Sequence, residues 1–446
     1  MLKGNVAVIL YDKDGNEVDR REAHNLVTNA TAELLNHVAG ASGGFTKPTE
    51  LTGSQAMDNI LPLGENALGG LLLFQDALDT NAANYYIPGD NVIIASADRT
   101  ANSDNPNRGS LNTNGSGKIQ TGFKSTWDFS TSQANGAISA IALTSVLCGG
   151  NPATFSNIPL KKPVKFSDGT NEYTGSNLLP LKYDKTTQYY YFAYPNGTVV
   201  VSGQTKAKYA IYKIKIPFYS FGVADSATQV GLVETTEYND IVTNYQAHNY
   251  ANYCVDAENG YAYIQNNLST SGTSAGDLTY TKVNLSTFAY EQGTKSFGAA
   301  IGGWCVSGGN FYYTKAGKVG RVPIGSGTAT EVNVEGVTTG YRPIVSAGGL
   351  VYLMNSSSST GYVNSYVAFQ DANLTVKRFG QAKNQTVNVS PFYFGMVCAE
   401  PKGSSFATEF RAIHDYLGTK FNLQTPVNKT DATTMKVVYT LTDVTQ

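Results

Sequence analysis

Charge is scarce in this chain. Of its 446 residues only 15% are Asp, Glu, Lys or Arg, against roughly 25% in ordinary soluble domains, and the formal net charge is −2. No global field therefore draws the molecule to nucleic acid or to anionic lipid. Histidine and cysteine are equally sparse, four of each. His24, His37, His248 and His414 match no zinc spacing, and Cys148, Cys254, Cys305 and Cys398 contain no CxxC pair. Neither a metal nor a cofactor is expected, and the cysteines are expected as free buried thiols. Long apolar runs are missing too: no stretch nears the ~18 residues of a membrane helix. The opening MLKGNVAVILYDKDGN meets a charged turn before a secretory apolar core is complete. The expectation is a leaderless chain with no membrane insertion.

What replaces charge is Asn, Thr, Ser, 45 Gly and 29 Tyr, the mix expected when many short strands are joined by many turns. The length accommodates two to four domains, each able to bury a core without staples. The first strand, Asn5 to Tyr11, runs into Asp12-Lys13-Asp14-Gly15-Asn16, a hairpin turn. The pair Asp12/Asp14 begins like a calcium loop, but Gly comes at the fourth position and no acid closes the loop at the twelfth. TNATAELLNHVAG offers an N-cap and helical apolar spacing up to Gly40. GGLLLFQDAL and NVIIASAD read as buried strands. The polar segment 98–118 reads as an exposed loop, and WDFSTSQANGAISAIALTS as two strands forming a hairpin around Asn135-Gly136.

From about residue 152 the chain repeats a pattern. LLPLKYDKTTQYYYFAY, NYCVDAENGYAYIQNN, GWCVSGGNFYYTKAG and RPIVSAGGLVYLMNS each give strand, tight turn and aromatic strand. Leu181 to Tyr189, Cys254 to Tyr261, Cys305 to Phe311 and Val345 to Val351 are spaced by eight, seven, six and six residues. Cys254 and Cys305 thus take the packing position of Leu181 and Val345. A further strand pattern follows several of these hairpins, as in YAIYKIKIPFY, LTYTKVNLSTFAYE, GKVGRVPIGSGTATEV and NSYVAFQDANLTVKRFG. Such a series fits blades of a β-propeller, four visible with room for a fifth or sixth; a sandwich or an extended series of hairpins is the alternative. The closing strand, Met435 to Leu441, needs a sheet, and the unpaired candidates lie in the first 150 residues. The stretch EFRAIHDYLG before it reads as a short helix or loop. The expected fold is mainly β: a β-sandwich-like domain from 1–150 plus 399–446, with an inserted β-propeller-like domain at 151–398.

HNLVTNATAELL, WDFSTSQANGAISAIALT and NLQTPVNKTDATTMKVVYTLT together resemble virion structural proteins of tailed bacteriophages, most of all tail-fibre or tail-tip components. The match is confined to the two terminal regions. The resemblance implies a virion location, a particle-facing β domain, a displayed host-facing region, partners among other virion proteins and a host cell-surface glycan or protein, and a homo-oligomer, with a trimer implied by fibres. The central region carries no kelch or WD signature.

Chemistry is thin. The acidic clusters Glu234/Glu237/Asp240 and Asp256/Glu258 are the material for a polysaccharide depolymerase, which needs two opposed carboxylates; both also suit solvated turns. GASGG around Ser42 follows a helix rather than a buried strand and is no nucleophile elbow. Binding is better motivated, because Tyr offers a rigid amphipathic ring, concentrated in QYYYFAYP and NYQAHNYANY. Tyr245, Tyr250 and Tyr253 are the receptor-facing candidates. The expectation is therefore a non-enzymatic adhesin. A collar, connector or head-fibre role, the depolymerase, and a propeller unrelated to phage remain as alternatives.

Overall fold

The computed structural model describes residues 2–34, 63–152, 158–161, 166–167, 172–173, 179–201, 204–215, 227–234, 253–266, 276–355, 362–383, 392–402 and 407–443. It is mainly β, with 57% strand and 3% helix, in several antiparallel sheets. Two sheets are built from both ends of the chain. Sheet I runs in the order Glu17–His24, Leu2–Tyr11, Thr434–Asp443, Gly122–Phe129, Ser110–Leu111, and sheet II in the order Leu26–Val27, Thr419–Lys429, Gly136–Thr144, Gly70–Phe74, Ile93–Ala97. The final strand thus finds its partners where the sequence predicted, between the first strand and the strand of Trp127. Strand alternation drives Met435, Val437, Tyr439 and Leu441 to one face, where they bury with Val6, Val8, Trp127, Ile141 and Phe421 in a core shared by the two sheets.

The turn after the first strand behaves as read. Asp12 Oδ1 accepts the backbone N–H of Asp14 at 2.9 Å and of Asn16 at 2.8 Å, and Gly15 takes a φ of +83°. Around Asn135-Gly136 the expectation of a hairpin fails. Gly122–Phe129 pairs within sheet I and Gly136–Thr144 within sheet II, so the turn is a corner between sheets. Ala134, at φ +55°, turns the backbone, and the Gln133 side-chain amide ties the corner to Ser103 O at 2.6 Å. Nor is 98–118 a plain exposed loop: Ser110–Leu111 pairs with Asp128 and Trp127, and Arg108 meets Asp98 at 2.8 Å. Of the expected helix, residues 30–34 are helical and the remainder lies outside the described residues.

The inserted region forms four-stranded sheets in sequence order. Sheet III holds Leu179–Asp184, Tyr189–Val201, Gln204–Lys215 and Thr228–Glu234; sheet IV holds Tyr253–Asp256, Tyr261–Gln265, Asp277–Asn284 and Tyr290–Ser296. Sheet V holds Gly303–Ser307, Asn310–Lys315, Lys318–Pro323 and Thr330–Asn333, and sheet VI Tyr341–Val345, Val351–Asn355, Tyr362–Ala368 and Val376–Lys383. Every repeat hairpin read from the sequence is an antiparallel pair. Cys254 and Cys305 are fully buried, and all four cysteines are free. Sheet VII joins distant segments in the order Ile158–Lys161, Ala407–Ala412, Val397–Lys402, Phe392–Phe394. The boundary expected between 398 and 399 therefore falls inside a strand, and 407–412 is strand rather than helix or loop. First strands of neighbouring sheets touch between IV and V and between V and VI, and the first strand of III touches Phe392–Phe394 and Val397–Lys402 of VII.

Turns repeat one device. Asp184 accepts from the N–H of Thr186, Asp256 from Asn259, Asn284 from Ser286 and Asp371 from Thr375. A left-handed residue, Gln188, Gly260, Phe288 or Leu374, then follows. Short polar side chains bond their own turn in this way.

The inserted sheets dock on sheet II. Leu71 and Leu73 face the core with sheet I, while Leu72 and Phe74 face a second core with Tyr352, Phe392, Met396 and Tyr416. Backbone bonds Gly89 N–H to Gly348 O and Gln370 N–H to Gly89 O, both 2.8 Å, stitch the junction.

Candidate functional site

Of the receptor-facing tyrosines, Tyr245 and Tyr250 lie outside the described residues, as do Glu237 and Asp240. Tyr253 is described and is not a surface residue. It is only 1% exposed, because the first strand of sheet IV is buried throughout its length. A ring in that core meets no receptor.

Asp256 and Glu258 line a small, partly open cavity of about 70 Å³ between sheets IV to VII and the Tyr86 loop of the terminal region. Asp256 closes its own turn: the Asn259 side-chain amide donates to Oδ2 at 2.8 Å. Its carboxylate is committed to backbone geometry.

The larger opening is a groove of about 720 Å³ between sheets V and VI. Its floor is Tyr366, whose hydroxyl donates to Glu335 O at 2.8 Å and whose ring packs edge-on to Tyr341 at 5.6 Å. Asn333, Glu335 and Gly336 come from the end of sheet V; Asn364, Asn373, Thr375 and Arg378 come from the last two strands of sheet VI and the turn between them. That turn is rigid, since Asp371 accepts from both the N–H and the hydroxyl of Thr375, at 2.6 and 2.8 Å. Glu335 and Arg378 are exposed, and among the described residues neither side chain has an ion-pair partner.

Just behind the groove, Glu331 is in the opposite condition. Hydrogen bonds from Lys315, then Lys318 and Tyr313, hold its carboxyl down at about 2, so its charge is spent locally. The groove is thus a concave polar surface with planar amides, one carboxylate and one guanidinium, on rigid strands. Its volume is in the range of small-ligand sites. By its pattern NSYVAFQDANLTVKRFG reads as a plain repeat strand. Asn364, Asn373 and Arg378 were visible in it as polar residues, but nothing in the pattern said that they converge.

Among the described residues no cluster of three His, Cys, Asp or Glu is placed to hold a metal, and no helix is long and apolar enough to cross a membrane. No protein-family model matches the chain, and no curated protein matches it.

Proposed function

We propose that the chain is a virion structural protein of a tailed bacteriophage, of tail-fibre or tail-tip type, that adheres to a host-surface glycan. In this reading sheets I and II form a β-sandwich that attaches to other virion proteins and assembles as a homo-oligomer, a trimer for a fibre. Sheets III to VII form a five-bladed propeller-like body carried outward. Two features support that body: the first strands of sheets IV, V and VI touch in turn and that of III touches Phe392–Phe394 of VII, and sheet VII combines one strand from the start of the insert with three from its end. In this reading a blade completed by strands from both ends of the insert would join the last blade to the first. Weak contacts multiplied over many copies would supply the avidity.

The observation that carries the glycan reading is the inter-sheet groove, whose Asn, Thr, Glu and Arg side chains match the alternating donors and acceptors of sugar hydroxyls. Binding is favoured over cleavage on the same ground. Glycosidic hydrolysis generally uses two facing carboxylates, and the described lining supplies only Glu335.

The test is retention of purified protein on host cells and on isolated host cell-wall glycan, beside unrelated bacteria. Asn364→Ala with Arg378→Ala is expected to weaken retention at least ~10-fold, the scale of losing a charge-assisted hydrogen bond, at unchanged melting temperature. Retention no better on host than on unrelated cells would overturn adhesion and leave a collar or connector role.

A further inference from the structure

The second strand of sheet III splits the run Tyr189-Tyr190-Tyr191-Phe192 between two faces. Tyr190 and Phe192 are fully buried, whereas Tyr189 and Tyr191 are half-buried on the face toward sheet IV. There they form a row with Phe288 from the last turn of sheet IV: Phe288 to Tyr191 is 5.7 Å between centroids and Tyr191 to Tyr189 is 6.5 Å. Two lysines complete the row. Lys182 Nζ stands 4.6 Å from the Tyr191 centroid and 5.0 Å from that of Phe288, and Lys213 Nζ stands 4.7 Å from that of Tyr189.

Neither ammonium has an ion-pair partner among the described residues. The carboxylate next in the strand, Asp184, is turned to Thr186 and Thr187, with its oxygens held by their N–H and hydroxyl groups at 2.9 and 2.6 Å. Burial presses the Lys182 pKa downward, against the opposing pull of the Asp184 charge two residues on, so the cation is partly stripped of water with no ion pair in contact. Backbone geometry sets the third ring of the row. Phe288 sits at φ +59°, the left-handed state that Gly260 takes in the matching turn of the same sheet. The turn holds the Phe288 ring out over Lys182.

We propose that this row is a binding site for an anionic saccharide. Its pyranose faces stack on Phe288, Tyr191 and Tyr189, and its carboxylate or phosphate pairs with Lys182 and Lys213. The site shares no residue with the groove between sheets V and VI and does not rest on it. Aromatic faces suit the apolar face of a sugar ring, and an ammonium already over a ring keeps its outward side for an anion.

Calorimetric titration of the full chain with three oligomers tests the proposal: a galacturonate oligomer, a glycerol-phosphate oligomer and neutral cellohexaose. One or both acidic oligomers are expected to bind and the neutral one not. Affinity should fall as salt is raised, and which acid binds identifies the source of the charge. Lys213→Gln, which touches a single ring, and the double Lys182→Gln/Lys213→Gln variant should weaken acidic binding at least ~10-fold, while Arg378→Ala leaves it unchanged. Three results would each overturn the site: no acidic oligomer binding to the unaltered chain, neutral oligomer binding as tightly, or acidic binding that survives in the double variant. A drop in melting temperature in the double variant without any acidic binding in the parent would mark the row as a structural clamp.

Discussion

Tyr352 donates its hydroxyl to Asp415 Oδ2 across 3.1 Å, and both residues are buried where sheet VI meets the segment returning from sheet VII to sheet II. Burial outweighs that bond and pushes the Asp415 carboxyl up to about 7. In the unfolded chain it ionises near 3.8, so between these values the folded form holds a proton that the unfolded form has lost. Stability from this group must fall as pH rises from ~4 to ~7, by an upper bound of about 4 kcal/mol. Asp415→Asn keeps the shape and abolishes the titration. Its melting temperature should exceed the parent's at pH 8 and converge on it near pH 4.5; a gap independent of pH would refute the assignment.

The left-handed turn positions give a pair of opposite signs. Gln188 is exposed at φ +60° and Gly260 sits at φ +73° with open space where a Cβ would go. Gln188→Gly should stabilise by ~0.5–1 kcal/mol and Gly260→Ala should destabilise by about 1 kcal/mol, through backbone preference alone. Urea melts with unchanged slope are the measurement.

Those turns also show how much could be read in advance. Asp256-Ala-Glu-Asn-Gly260 announces itself through Gly, and the strand pairs on either side were legible from alternation. Phe288 and Leu374 occupy the same backbone state with no residue signal, so the aromatic row is hidden in the sequence although QYYYFAYP shows Tyr189 and Tyr191 as a cluster. Tyr253 failed for a related reason: Tyr suits a buried strand as well as a surface, and only the pairing of sheet IV with its neighbours decides. The corner at Ala134 shows the limit for topology. Two strands with a turn between them read as a hairpin, whereas neither pairs with the other and each takes one partner from residues 419–443, almost 300 positions later. The convergence of Asn364, Asn373 and Arg378 depends likewise on a contact between sheets that local pattern does not encode.

Gly89 tests whether the two parts of the chain unfold as one. A Cβ there would lie 2.5 Å from the backbone carbon and oxygen of Gly349, and neither can move without breaking the bonds that dock Gly89 on Gly348 and Gln370. Because one core spans sheet II and the inserted sheets, the parent should show a single calorimetric transition. Gly89→Ala should cost ~1–3 kcal/mol and split it into two. A single transition at unchanged temperature would mean the junction contributes little.

Lys377 crosses the same junction, its ammonium reaching Ile94 O at 3.2 Å, and burial lowers its pKa to about 8 from 10.5. Here the unfolded chain holds the extra proton between those values, so stability must rise with pH across the window, the reverse of Asp415. The charged form carries the penalty, bounded at about 3 kcal/mol. Lys377→Met, which keeps the stem length and removes the charge, should therefore gain on the parent at pH 7, and the gain should shrink as pH approaches 10. Melting curves of both proteins at pH 7, 8.5 and 9.5 decide it: a difference that stays constant would show that the Lys377 proton is not what the junction feels.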